Sequence, residues 1–201
     1  MQSNETDQDN FFPATAMPDG DWWHTLWFDP ENVLAKIGFK KGLTAIDLCC
    51  GNGLFTVPMS QILNGNVVAV DLDPEMLEQA KKALENAEAP PCDWIKADAR
   101  ELTTLVPQKV DIVLIANTFH GIDAQTEMAR NISTILKPGG LFIIINWHNR
   151  PREETTVLEQ ARGPRTELRM SPNAVREVVE PSTLVWDKLV ELPPLSLCGN
   201  I

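Results

Sequence analysis

The stretch Ala45-Ile-Asp-Leu-Cys-Cys-Gly-Asn-Gly53, followed by Val67-Val-Ala-Val-Asp71, constrains the fold of this chain more than any other feature. An apolar run ending in a glycine-containing turn, then a second apolar run closing on a carboxylate, is how an open α/β sheet presents a nucleoside-binding loop. Gly51 and Gly53 allow backbone angles and close approaches that a β-carbon would block. Asp71, twenty residues after Gly51, offers two acceptor oxygens to the hydroxyls of a ribose. A lone Gly-x-Gly is a weak signal, and the acid at the end of the next strand is what makes it useful.

Strand and helix signals alternate along the rest of the chain. Strands are expected at 43–49, 66–71, 92–96, 109–116, 140–147 and 183–191, and helices at 54–63, 74–87, 122–136 and 172–180. Asp29-Pro30 and Asp73-Pro74 each read as an N-cap followed by a first-turn proline. This order predicts an α/β fold: a doubly wound, mostly parallel, Rossmann-like sheet with helices on both faces and ligands at the carboxyl ends of the strands. Polar residues follow the expected strands in turn: the glycine turn, then Asp71-Leu72, Asp98-Ala99, Asn117 to His120, and Asn146-Trp147-His148.

Composition narrows the function. A chain of 201 residues, 43% of them hydrophobic, can bury a full core. One domain over residues 21–201 is expected, preceded by a polar arm at 1–20. The formal charge of −11, from 17 basic and 28 acidic side chains, disfavours a nucleic-acid partner and leaves a small molecule open. Cys49, Cys50, Cys92 and Cys198 show no CxxC pairing, so buried or incidental thiols in a reducing compartment are expected rather than a metal site. Residues 1–20 lack a basic and then apolar leader pattern, and no apolar run reaches membrane-spanning length, so the placement is cytoplasmic, with no membrane partner.

At Asp47-Leu-Cys-Cys-Gly51-Asn-Gly53 the chain resembles the class I S-adenosylmethionine-dependent methyltransferases, whose first motif reads roughly DxGxGxG. Cys49 stands where that motif has its first glycine. The resemblance covers about residues 43–147. It implies S-adenosyl-L-methionine as cofactor, held by Asp47, Gly51, Asn52, Gly53 and Asp71, with Leu72 over one face of the adenine, Asp98 and the Ala99 amide reading its edge, and Asn117 in contact. It also implies in-line transfer of a methyl group to a small-molecule acceptor, with His120 facing the acceptor and His148 on the same rim as a second catalytic candidate. Most members close the sheet with an antiparallel strand. Here Leu192-Pro-Pro-Leu-Ser-Leu-Cys-Gly-Asn-Ile201 leaves only a short candidate, so the last strand is expected to be stunted, leaving either an edge open to a second copy in a homodimer or a shortened end.

Acceptor contacts are expected from Trp23, Trp27, Asn146 and Arg150. The cluster Trp22-Trp-His-Thr-Leu-Trp27-Phe28 reads either as a helix sealing the sheet or as a lid over the acceptor. Arg150, Arg152, Arg162, Arg165 and Arg169 are five of the chain's eight arginines. They read either as a grip on an anionic acceptor or as a solvated segment whose charge Glu153, Glu154, Glu159 and Glu167 nearly cancel. Two other functions fit the same architecture. An NAD-dependent oxidoreductase shares the βαβ logic, but Thr56 replaces the third glycine of its fingerprint and the chain has no tyrosine for a Tyr-x-x-x-Lys acid. A non-catalytic S-adenosylmethionine-binding protein would differ only in lacking turnover. The acceptor atom is written in no motif.

Overall fold

The structure, a computed structural model, describes residues 20–106, 108–192 and 196–200. The expected arm at 1–20 lies outside the described residues, Gly20 excepted. Helices α1 (Gly20–Leu26) and α2 (Pro30–Lys36) come first. Asp29 caps α2 by accepting the Asn32 N–H at 3.0 Å, and Pro30 occupies a first-turn position whose N–H has no partner in a helix. Strands and helices then alternate: β1 (Ala45–Leu48), α3 (Thr56–Leu63), β2 (Val67–Asp71), α4 (Pro74–Asn86), β3 (Asp93–Lys96), α5 (Leu102–Leu105), β4 (Val110–Ala116), α6 (Gln125–Ile135) and β5 (Leu136–Trp147). Asp73 caps α4 through the Glu75 N–H at 2.8 Å. A small hairpin of β6 (Thr156–Val157) and β7 (Gln160–Ala161) follows, then α7 (Pro172–Val179), β8 (Lys188–Leu192) and β9 (Ser196–Asn200).

The sheet order is β3-β2-β1-β4-β5-β9-β8. Neighbours among the first five strands are parallel, and β9 runs antiparallel between β5 and β8. The last strand therefore forms in spite of the two prolines. Pro193 and Pro194 lie outside the described residues, and β9 pairs with both β5 and β8, so the sheet edge expected to be open is filled by the chain's own strand. The strand expected at 183–191 starts later, at Lys188, because Glu180–Ser182 continues α7 as a 3₁₀ turn and Thr183 takes a left-handed φ of 75°.

Alternation along the central strands divides the core. Ile112 and Leu114 of β4 pack with Trp27, Leu34 and Met59 on the face of α1, α2 and α3. Val113 and Ile115 pack with Phe119, Met128 and Ile132 on the face of α6 and α7. Each such fully buried side chain stabilises the fold by about 1.5–3 kcal/mol, so both helical layers are clamped to one sheet. The strand order reverses between β1 and β4, and at such a point the loops leaving adjacent strands diverge and open a crevice.

Candidate active site

The loop after β1 is shaped by hydrogen bonds to its own strands. The Cys50 N–H donates to the Val70 carbonyl at 3.0 Å, and the Gly51 N–H donates to Asp71 Oδ2 at 2.8 Å. Asp71 Oδ1 accepts the Asp73 N–H at 2.9 Å, so both carboxylate oxygens are fixed by backbone and each keeps a further lone pair. Cys49, at the position of the resembled motif's first glycine, has φ 60°. A side chain in that left-handed region costs about 1 kcal/mol, and a glycine would avoid it. Burial and the neighbouring carboxylates push the Cys49 and Cys50 thiols up, which keeps them protonated and unreactive.

Thr56, at the third position of the glycine pattern, is fully buried and donates its hydroxyl to Asp47 Oδ2 at 2.6 Å. Asp47 is only 2% exposed. Burial pushes its pKa up to about 7, against the Thr56 hydrogen bond and with the Asp71 charge. Gly53 has a packing role. It does not face the cavity; a β-carbon there would sit 3.0 Å from the Ala80 Cα and Cβ, so this glycine serves the packing of α4 on the turn.

Next along the sheet, Leu72 is 38% exposed beside Asp71. Asp98 caps the 3₁₀ turn Ala99–Glu101 through the Arg100 N–H at 2.9 Å, and the Arg100 guanidinium reaches the same carboxylate at 2.6 Å. That hydrogen bond holds the Asp98 carboxyl below the usual range, against its burial. Capping and exposure to the cavity are thus both realised at Asp98. Ala99 is buried beside it.

Beyond β4 the chain turns through Asn117, at φ 59°, whose N–H donates to the Ile145 carbonyl at 2.7 Å. Both polar atoms of the Asn117 amide, and Asn52 Oδ1, are buried with no hydrogen-bond partner among the described residues. A polar atom left so costs about 1–3 kcal/mol. His120 sits half-buried in the 3₁₀ turn Phe119–Gly121. Burial pushes its pKa below the ordinary imidazole value, the Asn146 side chain acts to raise it, and the Arg169 charge lowers it further.

The segment after β5 folds back over this crevice. Trp147 is 3% exposed and lies edge-tilted to Trp22 at 6.4 Å, and Trp22 meets Trp23 at 5.5 Å. Gly163 packs on the Trp147 indole so closely that a β-carbon would fall 2.6 Å from Cδ2. The Arg162 guanidinium stands 5.0 Å from the centre of Trp22, and that of Arg169 stands 5.5 Å from Trp147. Arg169 is 7% exposed and spends its donors on the carbonyls of Pro164, His148 and Arg162 and on the Thr155 hydroxyl. Burial and then the Arg152 charge lower its pKa, opposed by Glu153. The segment is solvated at its glutamates and at Arg165, whose exposed 3.3 Å contact with Glu167 is its one ion pair among the described residues, while Arg169 departs from that reading as an internal strut.

These walls enclose a cavity of about 910 Å³ at the carboxyl ends of the strands. Of the residues expected from the sequence, it brings together Asp47, Gly51, Asn52, Asp71, Leu72, Asp98, Ala99, Asn117, His120 and Trp23. Others fall outside it. Trp147 lines the cavity, whereas Asn146 reaches His120 from behind it and lines a small hollow with Met170 and Trp186, and His148, beyond the end of β5, lines neither. Burial and Arg150 lower the His148 pKa, opposed by Glu191. Arg150 is exposed, and Trp27 packs against Phe55 at 5.2 Å within the core. Trp22, Trp147, Arg152, Arg162 and Gly163 complete the wall. The glycine set among arginines at 162–165 was the one signal of that approach in the sequence. Among the described residues no group of His, Cys, Asp and Glu is placed to hold a metal ion, and no helix is long and apolar enough to cross a membrane.

Residues 45–140 match the family model described as a methyltransferase domain. Demethylmenaquinone methyltransferase of Staphylococcus aureus is 28% identical over 127 residues, 61% of this chain and 49% of that protein, so the chain spans about half the length of the curated relatives it matches. Among solved structures, a SAM-dependent methyltransferase from Aquifex aeolicus superposes with a TM-score of 0.74 at 23% identity, over 88% of this chain and 90% of the other. Magnesium protoporphyrin IX methyltransferase of Synechocystis PCC 6803, solved with bound SAH, gives a TM-score of 0.64 at 14% identity, over 90% and 91% of the two chains.

Proposed function

We propose that the chain is a class I S-adenosylmethionine-dependent methyltransferase, as its match to the methyltransferase-domain model over residues 45–140 supports, and that it methylates a small-molecule acceptor held beside His120. Its cofactor is S-adenosylmethionine, and the walls fit that group. Asp71, oriented by the Gly51 and Asp73 amides, has lone pairs free for two ribose hydroxyls. Leu72 offers an apolar face to the adenine, Asp98 and the Ala99 amide its polar edge, and the unpartnered buried atoms of Asn52 and Asn117 gain partners. When bound, the cofactor supplies an electrophilic methyl: the acceptor's lone pair forms the new bond to carbon, the carbon–sulfur bond breaks, and its electron pair stays on sulfur.

The protein's own work is to place the acceptor, exclude water and take up a proton. Trp22 and Trp23, both under 8% exposed, wall the cavity from solvent. His120, held neutral near pH 7 by its burial, accepts the proton of an acceptor that arrives as a hydroxyl or an amine. His148 does not line the cavity, and the role falls to His120. The observation that carries the reading is the meeting, in one cavity, of a doubly anchored Asp71 and an unsatisfied Asn117.

The similar proteins named for demethylmenaquinone and magnesium protoporphyrin IX support a small organic acceptor. The charge of −11 supports the same choice over nucleic acid. We further place the protein in the cytoplasm, with residues 21–201 acting as one domain; the protonated, unpaired Cys49 and Cys50 suit a reducing compartment. The reading is tested by Asp71→Ala. Loss of a charged acceptor for two hydroxyls corresponds to about 1.5–3 kcal/mol, so S-adenosylhomocysteine affinity by calorimetry falls more than about tenfold. Unchanged affinity removes Asp71 from the site.

A further inference from the structure

Resting on the methyltransferase reading, we propose that the acceptor is an aromatic acid: a planar ring beside the indoles of Trp22 and Trp147, with its carboxylate on the guanidinium groups of Arg152 and Arg162.

Five carboxylates line the cavity, Asp47, Asp71, Asp73, Asp98 and Asp123, together with Lys96 and with Arg100, which is paired to Asp98. The wall that follows β5 carries Arg152 and Arg162, and none of the described residues lining the cavity in 147–164 is acidic. An anion is suited to that wall.

The guanidinium groups are also short of counter-charge. Neither Arg152 nor Arg162 makes an ion pair among the described residues, and Arg169 behind them turns its donors to carbonyls and a hydroxyl. Arg162 Nε is buried there without a hydrogen-bond partner. Clustered like charges in a half-buried wall repel one another, and an unpartnered guanidinium N–H is costly. A bound carboxylate relieves both, because its two oxygens match the guanidinium fork. In a chain of net charge −11 this local excess of arginine stands against the protein's overall field.

The ring is argued from the same wall. Trp22 and Trp147 are held rigid, the first by Arg162 and Trp23 and the second by Gly163 and Arg169. What these indoles leave exposed, 6% of Trp22 and 3% of Trp147, is a small rigid apolar strip of the cavity wall, and a planar ring packs against it with a gain beyond the area it buries. With the carboxylate engaged by arginine its lone pairs are poor nucleophiles, so the methyl goes to a ring hydroxyl. The oxygen–carbon bond forms, the carbon–sulfur bond breaks with its pair left on sulfur, and the hydroxyl proton passes to His120.

The test uses the full chain saturated with S-adenosylhomocysteine and titrated with 3,4-dihydroxybenzoate or its neutral analogue 3,4-dihydroxybenzamide, followed by calorimetry and tryptophan fluorescence. The acid is expected to bind at least about tenfold more tightly than the amide. Arg162→Gln removes most of that preference while leaving S-adenosylhomocysteine affinity unchanged, and Arg165→Gln, at an exposed arginine outside the cavity, keeps it. Equal affinities for acid and amide, or no binding of either while S-adenosylhomocysteine binds, overturn the assignment. Failure of S-adenosylhomocysteine itself to bind strikes instead at the methyltransferase reading beneath it. The acid–amide comparison on the unaltered protein stands whether or not Arg162→Gln folds.

Discussion

Replacing Asp47 by Asn should make the protein more stable above neutral pH and change the slope of stability against pH. Asp47 is 2% exposed, and its pKa is raised from 3.8 to about 7 by burial, with the Thr56 hydroxyl pulling down and Asp71 pushing up. Between those two values the folded protein holds a proton that the unfolded chain has released, so stability falls as pH rises through this window. From pH 5 to about 7 is two pH units, and at about 1.36 kcal/mol per unit this amounts to about 2.7 kcal/mol lost through one carboxyl. Asparagine imitates the protonated form and still accepts the Thr56 hydroxyl, so the variant lacks this loss. Urea unfolding of both proteins at pH 5 and pH 8 gives the difference directly. The variant's advantage should grow by about 2–3 kcal/mol between the two values, and an advantage that stays constant would falsify the assignment of a buried, proton-binding Asp47.

Three further outcomes follow from the same geometry. Gly163→Ala puts a β-carbon 2.6 Å from the Trp147 indole at a φ of 85°; it should cost about 2 kcal/mol or more in denaturant unfolding, and a neutral result means the segment after β5 does not pack as described. His120→Ala should reduce turnover by about 10²–10⁴-fold with S-adenosylhomocysteine affinity held. In the parent enzyme, activity should fall as acidification protonates His120, with a midpoint below the ordinary imidazole value because burial lowers it; equal losses of turnover and cofactor affinity would point to a structural histidine. Arg169→Met leaves two carbonyls and a hydroxyl without the Arg169 Nη2 and Nε donors they now use, and should lower stability by about 2–4 kcal/mol; a shift under half that size rejects its role as a strut.

The cavity wall after β1, β2 and β4 was legible because strand ends are marked in sequence. Ala45–Gly53, Val67–Asp71 and Asn117–His120 each end an apolar run with a polar residue, and parallel pairing puts successive ends on one rim. What each residue does there was less legible. Gly53 and Gly51 look alike in a motif, but only Gly53 meets Ala80, a contact made across 27 residues of chain. Thr56 reads as a defect in a glycine pattern until its hydroxyl is seen on Asp47. The wall after β5 was nearly hidden. Arg169 and Arg165 are equivalent in composition, and only the fold buries one and exposes the other. Asn146, Trp147 and His148 are adjacent in sequence, and of the three the tryptophan alone lines the cavity.

The central claim, that the crevice beyond β1, β2 and β4 is built for S-adenosylmethionine, is tested most directly by calorimetric titration of the protein with S-adenosylhomocysteine beside NAD. The account predicts micromolar binding of S-adenosylhomocysteine and none of NAD. Binding of NAD alone would contradict it and return the chain to the oxidoreductases that its βαβ loop resembles, and binding of neither would show that the unsatisfied Asn117 and the anchored Asp71 serve some other ligand.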